Sequence, residues 1–197
     1  MPRVSEDHLT ARREQILAAA RACFLRNGMH STSMQDLIRE ADLSVGAVYR
    51  YFKSKNEIIN AIAESVAGGL TTRLTEIAIR EPALPLVDAM SLVLDAIDAQ
   101  LGPDGNFGLA LQVWAEAALD PAIGEIVRQR YGGMRAAFDV LANRAAAAGE
   151  LPEGADLDGV AAALFGMIPG YALQRTLIGN PAKETYLAGF RALLKSP

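Results

Sequence analysis

Two helix-start signals eleven residues apart, at Ser33 and Ser44, constrain this chain more than any other feature of its sequence. Ser33 opens an S-x-x-D capping box with Asp36, in which a hydroxyl and a carboxylate each satisfy a backbone N–H that a helix start leaves without a partner. In the short helix that follows, Leu37 and Ile38 point one way while Gln35, Arg39 and Glu40 point another. The residues before Ser44 make a turn: Ala41 is small, Asp42 tolerates a left-handed backbone, and Leu43 plugs the corner. Ser44 then caps a second helix whose first turn is Val45, Gly46, Ala47 and Val48.

Two helices joined by a turn of about three to four residues form a helix-turn-helix, whose second helix enters the DNA major groove by its N-terminal end. The small residues Val45, Gly46 and Ala47 let that end approach base edges, and Tyr49, Arg50, Tyr51, Lys53 and Lys55 follow as phosphate-capable donors. Leu37, Leu43, Val48 and Phe52 are the expected small core that holds the two helices at their angle.

This stretch resembles the DNA-binding domain of the TetR family of transcriptional regulators. The residues that carry the likeness are the alanine before the turn, the G-x-V-Y of Gly46, Ala47, Val48 and Tyr49, the pair Tyr51 and Phe52, and the S-K of Ser54 and Lys55. Asp42 stands where the family usually has glycine. The resemblance covers roughly residues 10 to 60 and implies DNA contacts at Ser33, Gln35, Ser44, Val45, Gly46, Ala47, Tyr49, Arg50, Tyr51 and Lys55. Gln35, Val45, Gly46 and Ala47 would face base edges, Tyr49, Tyr51 and Lys55 would hold phosphates, and Arg50 could read either.

The distribution of charge agrees with that reading. The net charge of −4 divides unequally: residues 1–60 hold nine Lys/Arg against seven Asp/Glu, or +2, and residues 61–197 hold ten against sixteen, or −6. The positive excess lies at the end that carries the helix-turn-helix. Cys23 is the only cysteine, so no intramolecular disulfide forms, and it reads as a small core residue. No apolar signal segment opens the chain, and the longest uncharged run, Gly159 to Gln174, is 16 residues interrupted by Pro169 and three glycines. That run is too short to span a membrane, and a cytoplasmic protein is expected.

Along the chain, residues 1–9 read as a tail and residues from Thr10 as an amphipathic helix with Ile16, Ala20, Cys23 and Phe24 on one face and Gly28 as its stop. Arg12 and Arg13 near its start are either solvated arginines or phosphate ligands. Ser54, with Glu57 closing a second capping box, opens a helix of about 25 residues, roughly 40 Å long, to about Arg80. A helix of that length is a natural lever between a DNA-binding head (1–55) and a helical regulatory domain (56–197). Gly68 and Gly69 in its middle mark a kink or a close packing site.

Beyond Pro82 and Pro85, five further helical patterns follow. Leu86, Met90, Val93, Leu94, Ile97 and Leu101 stripe the first, and after the GPDGN loop Phe107, Ala110, Leu111, Trp114 and Ala118 stripe the next. Asp120 and Pro121 start a longer one, Gly149 to Gly154 is a loop, Asp156 caps an apolar helix to about Ile178, and Asn180-Pro181 precedes the last. No strand alternation occurs. The expected fold is all-α, with about nine helices.

Large side chains with few charges among them either fill the core of the second domain or surround a ligand. By the family resemblance, some of Met90, Leu94, Phe107, Trp114, Met134, Phe138, Met167 and Tyr171, with Phe165, surround a small-molecule effector; Glu116, Gln174 and Arg175 are candidate polar anchors near that set. Ala162, Gly166 and Gly170 form a smooth strip at spacing four; the resemblance implies a dimer built from the last two helices, with this strip, Phe165 and Ile168 as the expected interface, the alternative being an ordinary buried helix. Enzyme signatures are missing: there is no G-x-S-x-G, P-loop or dinucleotide fingerprint, and His8 and His30 have no metal-ligand spacing. No cofactor or metal is expected. The sequence points to a dimeric, ligand-responsive regulator, most naturally a repressor, on a near-palindromic double-stranded operator and released by a small, largely apolar effector. A helical small-molecule-binding protein or enzyme with a degenerate head is the alternative.

Overall fold

The structure, a computed structural model, describes residues 6–102 and 105–194, the side chains of residues 6 and 7 excepted. Among these there are nine helices and no strand: α1 (Glu6–Asn27), α2 (Met34–Glu40), α3 (Val45–Tyr51), α4 (Lys55–Ala78), α5 (Leu86–Asp98), α6 (Phe107–Ala117), α7 (Pro121–Ala147), α8 (Leu157–Ile178) and α9 (Lys183–Leu194). The chain is all-α, as its sequence implies. α1 starts earlier than expected, since the stretch read as a tail is helical from Glu6, while residues 1–5 lie outside the described residues. Pro103 and Asp104 of the GPDGN loop also lie outside them.

The residues group into two compact units, one running to Val66 and including Gly108–Gln129, the other comprising Ala67–Phe107 and the chain from Arg130 onward. α4 and α7 contribute to both. The first unit thus joins the helix-turn-helix to α6 and the start of α7. Ile16, Leu17, Ala20, Cys23 and Phe24 of α1 pack with Leu37, Val48, Phe52, Ile58, Ile59 and Ile62, and Leu109, Val113 and Ile123 complete this core. Gly28, at φ +83, ends α1 in the left-handed conformation that favours glycine. Cys23 is buried here, and burial pushes its thiol above the ordinary cysteine range.

In the second unit α5 buries Leu86, Ala89, Met90, Val93, Leu94 and Ile97, the stripe the sequence marks except that Leu101 falls beyond the helix end. α7 buries Met134, Phe138 and Leu141, α8 buries Ala161, Leu164, Ile168, Tyr171 and Ala172, and α9 buries Leu187 and Phe190. Phe165 meets Tyr131 and Phe138 edge-on at 5.8 Å. Polar contacts tie the same helices: the Tyr171 hydroxyl donates to Asp98, Lys183 pairs with Asp95 at 2.6 Å, and Arg135 pairs with Asp158 at 2.6 Å. α5 begins after Pro85 without a cap from its own sequence; the Glu150 carboxylate, 64 residues on, accepts the Leu86 N–H at 2.9 Å instead.

Three local readings are corrected. α4 is helical through Gly68 and Gly69, and among the described residues nothing beyond the neighbouring backbone of α4 lies within 4 Å of a Cβ built at either, so neither marks a close intrachain packing site. Glu57 takes its N–H from Lys53 (2.6 Å) rather than from Ser54, although Ser54 Oγ does accept the Glu57 N–H at 3.2 Å. Asp156 stands at the N-cap of α8 but its side chain makes no capping bond.

Candidate nucleic-acid interface

The site is built from the α2–turn–α3 segment. At its entry the Ser33 Oγ accepts the Asp36 N–H at 3.2 Å and the Asp36 carboxylate accepts the Ser33 N–H at 3.0 Å, so the capping box is closed in both directions. Hydrogen bonds from the Ser33 hydroxyl and N–H hold the Asp36 carboxyl below the usual carboxylate range. At the exit of α2, Asp42 has φ +52, its N–H reaches the Arg39 carbonyl, and the Leu43 N–H reaches the Ile38 carbonyl. This is a Schellman motif with aspartate in the left-handed position where glycine is usual. Gln15 of α1 adds a bond to the Ala41 carbonyl at 2.8 Å, a clamp on the turn that its position in the α1 pattern does not reveal.

Ser44 Oγ accepts the Ala47 N–H at 3.2 Å and starts α3. α3 buries Val48 alone, and Phe52 at its C-cap is also buried, with the Arg13 guanidinium 5.5 Å over the ring. The opposite face is open: Val45 is 59% and Tyr49 39% exposed, Gly46 and Arg50 are exposed, and Ala47 is half-buried. Ser33, Gln35 and Ser44 are exposed as well. Tyr51 is half-buried against the core. The Lys53 ammonium donates to the Tyr49 carbonyl, where a cation suits the end of a helix. Arg12 bonds Gln15 at 2.8 Å.

Lys55, the expected phosphate ligand, is hydrogen-bonded within the head. Its ammonium donates to the Met29 and Thr32 carbonyls at 3.0 and 3.2 Å and lies 3.5 Å from that of His30, so it is directed into the α1–α2 loop. Other contacts that residue spacing cannot reveal converge on the same unit. Gln112 of α6 bonds the backbone at Met29 and Phe24, Asn56 reaches Asp120 at 3.1 Å, and Glu116 lies 3.6 Å from His30. The Ala122 N–H and then the Asn56 amide hold the Asp120 carboxyl below its ordinary range.

The other expected sites are divided between the two units. Trp114 and Glu116 belong to the first unit, and Met90, Leu94, Phe107, Met134, Phe138, Met167, Tyr171 and Gln174 to the second. Met90, Leu94, Phe138 and Tyr171 have no accessible surface; Met167 is half-buried, and Gln174 is exposed with its amide on the Gly170 carbonyl. Of the expected interface strip, Ala162 and Gly166 are exposed, Gly170 is half-buried, and among the described residues no part of the chain beyond the neighbouring backbone of α8 comes within 4 Å of a Cβ built at either glycine. Phe165 is half-buried and Ile168 buried, on the side of α8 that meets the aromatic and aliphatic core of their own chain.

Residues 16–62 match the family model described as bacterial regulatory proteins of the tetR family, and residues 88–196, more than half of the chain, match that of the BetI-type transcriptional repressor C-terminal domain. The chain belongs to the TetR family. An HTH-type transcriptional repressor of Mycobacterium tuberculosis is 36% identical to this TetR-family chain over 98 residues, half of each. Over the first curated relatives the chain spans half of their length or less. Among solved structures, GusR of Salmonella enterica superposes with a TM-score of 0.79 at 26% identity, over 98% of this chain and 97% of that one. The complex of SmeT with triclosan superposes with a TM-score of 0.73 at 25% identity, over 91% of each chain. SmeT is described as the repressor of the Stenotrophomonas maltophilia multidrug efflux pump SmeDEF.

Proposed function

We propose that this TetR-family regulator is a ligand-responsive repressor that binds a near-palindromic operator as a homodimer and leaves it on binding a small, largely apolar effector. The observation that carries the reading is α3, which buries Val48 and leaves Val45, Gly46, Tyr49 and Arg50 open on a head held by two helix caps and a Schellman turn. Gln35, Val45, Gly46 and Ala47 read base edges, and Tyr49, Tyr51 and Arg50 hold phosphates. Ser33 and Ser44 fix the helix starts at the DNA surface. Lys55 supports the loop behind them.

Dimerisation is supported by the open strip on α8 and by Leu177 and Leu193, 74% and 75% exposed near the ends of α8 and α9. Two heads on one duplex gain from effective concentration what one small head lacks. The triclosan complex of SmeT supports an apolar effector, which shifts operator binding only by favouring one conformation of the regulator over another. Met167 and Gln174, which keep accessible surface, are better placed to meet it than the enclosed Met90, Leu94, Phe138 and Tyr171. No described helix is long and apolar enough to cross a membrane, in keeping with a cytoplasmic regulator.

Selection of duplexes from a randomised pool, followed by anisotropy titrations across salt concentrations, tests this reading. A selected, near-palindromic duplex should bind at least about a thousandfold more tightly than unselected DNA. Equal affinity for selected and unselected duplexes overturns it.

A further inference from the structure

The α1–α2 loop is gripped from two sides by side chains that the α3 surface does not account for. From α6, Gln112 Oε1 accepts the Met29 N–H at 2.7 Å while its Nε2 donates to the Phe24 carbonyl at 2.9 Å. The Met29 N–H follows Gly28, where the chain leaves the helix in a left-handed turn, so this donor has no place in the α1 ladder and takes its partner from α6. From α4, Lys55 donates to the Met29 and Thr32 carbonyls of the same loop. Inside the loop the buried Thr32 hydroxyl donates to the Gly28 carbonyl at 2.7 Å. Ser33, the cap of α2, is the next residue.

α6 is itself firmly seated on α1. Leu109 and Val113 are buried in the shared core, and a Cβ at Gly108 would come within 3.3 Å of Leu25 Cδ2. Gln112 therefore holds the loop from a seated helix, with two bonds to backbone. A displacement of the loop moves Ser33, and with it the capping box that starts α2 and the turn that carries α3.

We propose that Gln112 is a positioning residue for DNA binding: from α6 it sets the α1–α2 loop, and jointly with Lys55 it fixes where α2 and α3 stand against the duplex. The inference rests on the DNA-binding reading and goes beyond it, because Gln112 lies on a helix outside the helix-turn-helix and touches no DNA. Recognition surfaces lose function when their supporting contacts leave them about 1 Å loose, even with every contacting residue in place.

The test uses the full chain, a selected duplex and an unselected one. Gln112→Met keeps the length of the side chain and removes both bonds; it should weaken the selected duplex about tenfold and leave both the unselected duplex and the salt slope unchanged. Lys55→Met should do the same, because its ammonium faces carbonyls; a salt slope lower by about one would make it a phosphate ligand and break its half of the proposal. In the double variant the losses should not add, since either substitution already frees the loop. Gln112→Glu, which keeps an acceptor for Met29, should bind between wild type and Gln112→Met. If Gln112→Met does not fold, Gln112→Glu decides alone, and wild-type affinity in it overturns the inference. A lowered melting temperature with wild-type affinity, or strictly additive losses, also overturns it. A wild type that does not distinguish the two duplexes refutes the DNA-binding reading instead.

Discussion

The Tyr171 hydroxyl lies 2.9 Å from both oxygens of the Asp98 carboxylate, joining the middle of α8 to the end of α5 within the second unit. Burial, and then the Asp98 carboxylate, pushes the Tyr171 phenol far above its ordinary range, so it stays a proton donor at every physiological pH. Arg175 lies 3.6 Å from Asp98 and 6.0 Å from the centre of the Tyr171 ring, and the Tyr186 ring lies 5.1 Å from that of Tyr171. Tyr171→Phe removes the donor and keeps the ring. The loss should be about 1.5–3 kcal/mol, the range for a hydrogen bond to a charged group. Urea unfolding of the variant checks this, and an unchanged midpoint would show that Arg175 and water replace the hydroxyl fully.

Phe52 closes the head from the end of α3. Its ring is 4% exposed and sits in the core with Ile16, Leu37 and Val48. Phe52→Ala should cost about 3–5 kcal/mol, and the small head should lose much of its cooperative melting. A melting curve that superimposes on wild type would remove Phe52 from this core.

Acid should loosen the start of α2 in particular. Asp36 has its pKa depressed by Ser33, so its contribution is present above the ordinary carboxylate value of roughly 4 and is lost as pH falls through the folded-state value. Asp36→Asn should therefore be less stable than wild type at neutral pH, with the gap closing in acid. Denaturation midpoints for the two proteins from pH 7 down to pH 3 measure this. A gap of constant size across that range would place the effect outside the ionised carboxylate.

The strip on α8 separates an assembly surface from an internal one. Among the described residues nothing beyond the neighbouring backbone of α8 lies within 4 Å of a Cβ built at Gly166, so Gly166→Leu has room in the isolated protomer and should gain up to about 1 kcal/mol of helix propensity there. In a symmetric dimer packed through this strip the same leucine clashes twice, at about 1–3 kcal/mol per site. Sedimentation should show wild type as a dimer at micromolar concentration and Gly166→Leu shifted toward monomer. Unchanged sedimentation of the variant would move the interface elsewhere.

Much of the head was legible because its signals are local. The S-x-x-D box, Ser44, the left-handed Asp42 and the glycine after α1 act between residues a few positions apart, so spacing alone identifies them. The apolar stripe of α5 was legible for a similar reason: its polar residues mark the outside, and the helical period does the rest. α8 has no such marking. It is apolar nearly all round, so periodicity could not say that Ile168 turns inward while Gly166, two residues earlier, stays open.

What the sequence determined by itself was therefore the class of fold, the position of the helix-turn-helix and the ends of most helices, all of them properties of short range. Tertiary structure decided the partners of the side chains that act at a distance. Gln112 reaches a loop 83 residues earlier, Glu150 caps a helix that begins 64 residues before it, and Lys55 turns into the loop behind the site rather than out of its surface. Each of these groups satisfies a backbone donor or acceptor that local structure left open, and only the packing of the helices determines which side chain is near enough to do so.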